Sequence, residues 1–157
     1  MRTTHYEPWM HRALEVARLR HDPGADDLPT GAVLYDPEGN EVAAASHDRA
    51  NACDPTAHAE MITLREAGHK LGTWRLHDCT LVTTLEPCTM CAGALVLARL
   101  STLVIGTWDP DHGAVSSLWD VVRDRRLNHF VEVFPEVLRE SCDKLIRSHQ
   151  EAQLTAG

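Results

Sequence analysis

Long apolar runs are missing from this sequence. No stretch approaches the roughly 20 residues that a membrane-spanning helix needs, and Met1 to Pro8 carries no apolar segment of the secretory type. Cysteines number five, an odd count, and two of them form a Cys-x-x-Cys pair. A disulfide framework is therefore not expected, and a reducing cytoplasm is the simplest compartment. Repeats, linkers and low-complexity tracts are also lacking, so residues 1–157 read as a single domain. Basic residues are outnumbered, 15 against 23 acidic, for a net charge of -8. Nucleic-acid binders draw much of their affinity from Lys and Arg against phosphates. This balance counts against nucleic acid as a partner, although an acidic chain can still carry a local basic patch.

What is present describes a soluble globular chain, 43% hydrophobic and 24% charged, long enough to bury a core without disulfide or metal staples. Trp9, Met10, Ala13, Leu14 and Ala17 recur at helical spacing and predict an amphipathic helix from Glu7 to Arg20. A loop follows over His21–Asp27, then strands at Gly31–Tyr35 and Glu41–Ser46 around the turn Asp36–Asn40. Asp54 and Pro55 resemble an N-cap and first helical position, which predicts a helix from there to Ala67, ended by Gly68. Further strands are expected at Thr80–Thr84, Thr102–Gly106 and Phe130–Val133. Helices are expected at Cys88–Arg99, Ser117–Arg123 and Glu136–Ala152. Strands alternating with helices after a hairpin imply an α/β fold: a three-layer α/β/α sandwich on a mixed sheet of about five strands.

The chemistry concentrates in His58-Ala59-Glu60 and Cys88-Thr89-Met90-Cys91. One helical turn separates Cys88 from Cys91, so both sulfurs can reach one ion. Two thiolates and an imidazole favour zinc, and three protein ligands leave a fourth position open. An open position is the mark of a catalytic zinc, where a water's pKa falls to roughly 7. Both ligand segments follow a proline helix start, so helix N-termini should favour thiolates and developing negative charge. Glu60, two residues beyond His58, is placed to carry protons without binding the metal. A structural zinc is the competing reading, with Cys53, Cys79 or another histidine as fourth ligand. Cys142, like those two cysteines, receives no role.

His-x-Glu followed by Pro-Cys-x-x-Cys resembles the zinc nucleobase deaminases of the cytidine-deaminase superfamily. Asp54–Glu60 and Thr84–Ala94 are similar to bacterial tRNA adenosine deaminases and their guanine-deaminase relatives, and Gly31-Ala32-Val33, Gly113-Ala114 and Asn128-His129 also resemble the tRNA-deaminase pattern. The resemblance covers roughly residues 8 to 148. It implies hydrolytic deamination, one zinc per subunit on His58, Cys88 and Cys91, proton transfer by Glu60, and a homodimer whose pockets are completed across the interface.

Four departures bear on the substrate. His47 stands where relatives carry an Asn that hydrogen-bonds the base; either it takes that role or Asn51 or Ser46 does. Trp108-Asp109 replaces an Arg-Asp pair, with Trp108 either stacking on the substrate or sitting in an interface. The loop Asp109–His112 lacks the basic residue common there, and the tail balances Arg139, Lys144 and Arg147 against Glu140, Asp143 and Glu151. The Arg123, Arg125 and Arg126 cluster reads as a solvated surface. His47, Ala59, Trp108 and Asp109 are the candidate substrate contacts. The shortage of basic residues favours a small free ring such as guanine, isoguanine or a cytosine-like aminotriazine. Adenosine-to-inosine editing at a tRNA wobble position is the alternative, and a non-catalytic zinc module the second.

Overall fold

The computed structural model describes residues 3–20 and 25–157. The elements run α1 (Glu7–Leu19), β1 (Gly31–Tyr35), β2 (Glu41–Ser46), α2 (Arg49–Ala52), α3 (Ala59–Leu71), β3 (Thr80–Leu85), α4 (Thr89–Leu97), β4 (Thr102–Thr107), β5 (Glu132–Phe134) and α5 (Arg139–Ala156). The five strands form one mixed sheet in the order β2-β1-β3-β4-β5. β1 runs antiparallel to β2 and β3, while β3, β4 and β5 are mutually parallel.

Alternation along the strands divides the core in two. Ala32, Leu34, Leu81, Leu103 and Ile105 face α3 and α4 residues such as Leu64, Ala67, Ala92 and Leu95. Val33, Tyr35, Val82 and Val104 face the other way, onto Met10, Leu14, Cys142 and Leu145 of α1 and α5. Each fully buried Leu or Val contributes about 1.5–3 kcal/mol. With both faces covered, β3 and β4 carry no charged residue and are buried from their second residue onward, the Thr83 and Thr84 hydroxyls there being hydrogen-bonded. The expected three-layer sandwich is therefore the observed fold.

Several boundaries differ from expectation for identifiable reasons. Of the loop expected over His21–Asp27, residues 21–24 lie outside the described residues, and 25–27 form a bend. Asp54 Oδ1 accepts hydrogen bonds from the backbone N–H and hydroxyl of Thr56 at 2.8 and 2.7 Å. That contact closes a turn, and the helix starts only at Ala59 with His58 as N-cap. Gly68 stays helical, and Gly72, at φ +67°, ends α3. No helix forms over Ser117–Arg123, which is a run of turns and irregular backbone. Two of its own N–H groups are claimed by acceptors outside the segment: Ser117 by Glu86, and Val121 by the Ala114 carbonyl. α5 begins at Arg139 instead of Glu136, because Glu136 and Leu138 take left-handed backbone conformations. α4 stops at Leu97, two residues short of the expected Arg99. β5 covers Glu132–Phe134 instead of Phe130–Val133.

Candidate metal centre and substrate cavity

His58 and Cys88 are the N-cap residues of α3 and α4, and Cys91 lies in the first turn of α4. The two ligand segments therefore sit at helix N-termini, as the proline-led starts suggested. His58 Nδ1 lies 3.6 Å from Cys88 Sγ and 3.5 Å from Cys91 Sγ. The three ligand atoms fall within 4.8 Å of one another. A tetrahedral zinc with bonds of about 2.3 Å to sulfur and about 2.05 Å to nitrogen separates those atoms by about 3.6 Å. The donor set and its spacing thus fit zinc. Among the described residues it is the one such cluster of His, Cys, Asp and Glu, and neither Cys53 nor Cys79 joins it as a fourth ligand.

The two sulfurs are electrostatically unequal. A hydrogen bond from Cys91, reinforced by one with His58, lowers the Cys88 pKa to about 3 despite its burial. Cys91 is raised, first by that same contact with Cys88 and then by burial. Cys88 is a ready thiolate, while Cys91 gives up its proton when an ion binds. His58 is raised by its hydrogen bond to Cys88.

Glu60 is buried, with Oε1 3.1 Å from Thr83 Oγ1 and Oε2 3.6 Å from Cys91 Sγ. Burial is the leading cause that raises its pKa above the ordinary carboxylate value. Glu60, His58 and Cys88 line a cavity of about 190 Å³ together with Leu28, Thr30, His47, Arg49, Asp109 and His112. His47 and Asp109 are thus on the cavity wall. Ala59 and Trp108 are not among its lining residues. Ala59 is buried at the first position of α3. Trp108 packs on the core and donates from its indole N–H to Glu136 Oε1 at 2.9 Å. Glu136 is drawn there by its left-handed backbone, a tertiary event that residue type alone could not announce.

Glu86 was legible only as part of a helix start, yet it anchors the far wall. Its Oε1 accepts the N–H groups of Val115, Ser116 and Ser117 at 3.1, 2.8 and 2.9 Å. Its Oε2 accepts the Asp109 N–H at 2.9 Å and the Ser117 hydroxyl. Burial pushes the Glu86 pKa up, but the combined hydrogen bonds from Ser117, Asp109 and Ser116 outweigh it, and the net shift is downward. A Cβ at Gly113 would collide with this carboxylate. Gly113 in turn bridges to Cys88, so the loop is joined to the metal centre. Asp109 Oδ1 accepts the N–H groups of Asp111 and His112 at 3.0 and 3.1 Å, turning His112 to the cavity.

The model of the cytidine and deoxycytidylate deaminase zinc-binding region matches residues 3–107, and the chain belongs to that family. It is a zinc-type hydrolytic deaminase. The tRNA-specific adenosine deaminase of Bacillus subtilis (strain 168) is 41% identical over 143 residues, 91% of this chain and 87% of that protein. A solved structure from a study of A-to-I editing by tRNA:A34 deaminases at the wobble position superposes with a TM-score of 0.81 at 35% identity, covering 88% of this chain and 98% of that one. The guanine deaminase of Nitrosomonas europaea matches at TM-score 0.73 and 28% identity, covering 92% of this chain and 84% of that one.

Proposed function

We propose that this chain deaminates adenosine in tRNA, releasing ammonia and leaving inosine. The observation that carries this reading is the 41% identity to a tRNA-specific adenosine deaminase along 91% of the chain. The same reading takes residues 1–157 as one deaminase domain, working as a homodimer in the cytoplasm. Among the described residues no helix is long and apolar enough to cross a membrane. The free-ring substrate inferred from composition gives way here. Net charge sums the whole surface, whereas RNA contacts need only a local patch beside the pocket.

His58, Cys88 and Cys91 hold the zinc, which when bound acts as a Lewis acid that brings a water's pKa toward neutrality. Glu60 takes one proton from the attacking water and gives it to the ring nitrogen, then takes the second proton from the added hydroxyl and gives it to the amine, so that the carbonyl forms as the C–N bond breaks and ammonia leaves. Its raised pKa suits a group that must both accept and donate near neutrality. Thr83 supports Glu60 in both states, since its Oγ1 is 3.1 Å from Glu60 Oε1 and 3.1 Å from the Leu85 carbonyl. The single hydroxyl proton goes to an ionised Glu60. When Glu60 is protonated, Thr83 accepts from it and donates to Leu85. The N-termini of α3 and α4 stabilise negative charge developing on the ring.

A panel of an anticodon stem-loop with adenosine at the wobble position, free guanine, isoguanine, cytosine and an aminotriazine tests the assignment. Inosine and ammonia should form from the stem-loop. Turnover of guanine without the stem-loop would overturn the tRNA reading, and no turnover anywhere would favour a non-catalytic zinc module.

A further inference from the structure

Outside the metal-binding set, Asp27, His47 and Arg49 form a connected cluster on the cavity side of β2. Arg49 donates from Nε to Asp27 Oδ1 at 2.8 Å, and from Nη2 to the same oxygen. His47 Nε2 lies 3.4 Å from that oxygen and is itself fully buried, though not aligned for a full hydrogen bond. The His47 ring rests against His58, with centroids 4.7 Å apart and planes inclined at 38°. It forms part of the wall shared by the catalytic cavity and a smaller recess behind it.

A neutral imidazole carries its proton on one nitrogen and leaves the other as an acceptor. A lone pair on buried Nε2 would face a carboxylate oxygen at short range, where little solvent screens the repulsion. An N–H in the same place is attracted. Arg49, donating two N–H groups to the same Asp27 oxygen, fixes that carboxylate in place beside Nε2.

We propose that Asp27, held by Arg49, is a positioning residue that locks His47 as its Nε2–H tautomer, leaving Nδ1 as an acceptor for an N–H or O–H group of the substrate. This rests on the reading of the cavity as the substrate pocket. It assigns the specificity at this wall to a carboxylate on a different segment of the chain, the one leading into β1.

The zinc-loaded enzyme labelled with 15N-histidine tests it. Long-range 1H–15N spectra of wild type should show a protonated Nε2 and an unprotonated Nδ1 for His47, assigned by its loss in His47→Asn. Asp27→Ala should lose that pattern, and Asp27→Glu should restore it. With the anticodon stem-loop as substrate, Asp27→Ala should raise KM about tenfold with kcat within about twofold, the effect of one lost hydrogen bond. A wild-type spectrum with the proton on Nδ1, or an unchanged tautomer in a folded Asp27→Ala protein, would overturn the proposal. Absence of stem-loop turnover in wild type would strike the substrate assignment and leave the tautomer measurement to decide this one.

Discussion

Replacing Glu86 by Gln keeps the shape of the side chain and removes its charge. In wild type the carboxylate receives four backbone N–H groups and one hydroxyl from the loop between Asp109 and Ser117. The best orientation of the amide puts its oxygen at the Oε1 position, which preserves the bonds from Val115, Ser116 and Ser117. The amide nitrogen then faces the Asp109 N–H, orphaning a buried donor at a cost of about 1–3 kcal/mol. The three surviving bonds fall from charge-assisted to neutral strength, offset in part by the relief of burying a neutral group. The expected loss is about 3 kcal/mol, or roughly 6–12 °C in Tm for a chain of this size. Urea denaturation at pH 7 with thermal melts reads both. The pH dependence gives a second check with a defined sign. Glu86 has a folded pKa below its unfolded value, so its contribution is fully present above the unfolded value of about 4.3 and fades as pH falls through the folded pKa. The gap between wild type and Glu86→Gln should therefore shrink below about pH 4.3. A loss under about 0.5 kcal/mol at pH 7, or a gap that widens in acid, would refute the anchoring role.

Other substitutions probe the centre directly. Glu60→Gln should keep stoichiometric zinc by metal analysis while kcat falls by about 10²–10⁴; a mutant with wild-type kcat would remove Glu60 from proton transfer. Thr83→Val removes a hydroxyl that is fully buried against Glu60 and should lower kcat roughly tenfold with KM nearly constant, measured by steady-state inosine formation. Cys91→Ala, or dialysis of wild type against a chelator, should remove zinc and activity together, and added zinc should restore only the dialysed wild type. Gly31→Ala drives a Cβ into the Ala13 carbonyl of α1 and should destabilise the fold by about 1–3 kcal/mol in denaturant titration, with zinc content retained.

Much of the metal centre could be read along the chain because its constraints are local. Cys88 and Cys91 share a helical turn, His58 and Glu60 flank a helix start, and a proline precedes each segment. Donor chemistry then names zinc almost without reference to the fold. The α/β layering was legible for the same reason, since strand and helix periodicities are written within a few residues. The helix expected at Ser117–Arg123 was not safe in that way. Its local pattern competed with the Glu86 carboxylate, some 30 residues earlier, and the carboxylate prevailed. Trp108 carries an aromatic ring suited to a pocket, but the backbone bend at Glu136 gave its indole a partner elsewhere.

By itself, the sequence determined the zinc ligands, the neighbouring carboxylate and the sandwich that holds them: Cys88 and Cys91 are one turn apart and Glu60 is two residues from His58, while the packing of the two helices on the sheet brings these pairs together. Only the tertiary structure decided which walls enclose the ligand. His47, Glu86 and Asp109 come to one cavity wall from segments far apart in the chain, and Thr83 and Asp27 act behind that wall on Glu60 and His47. The energies that choose among such partners are of the order of one buried hydrogen bond, about 1 kcal/mol each, and depend on which groups burial has left without water.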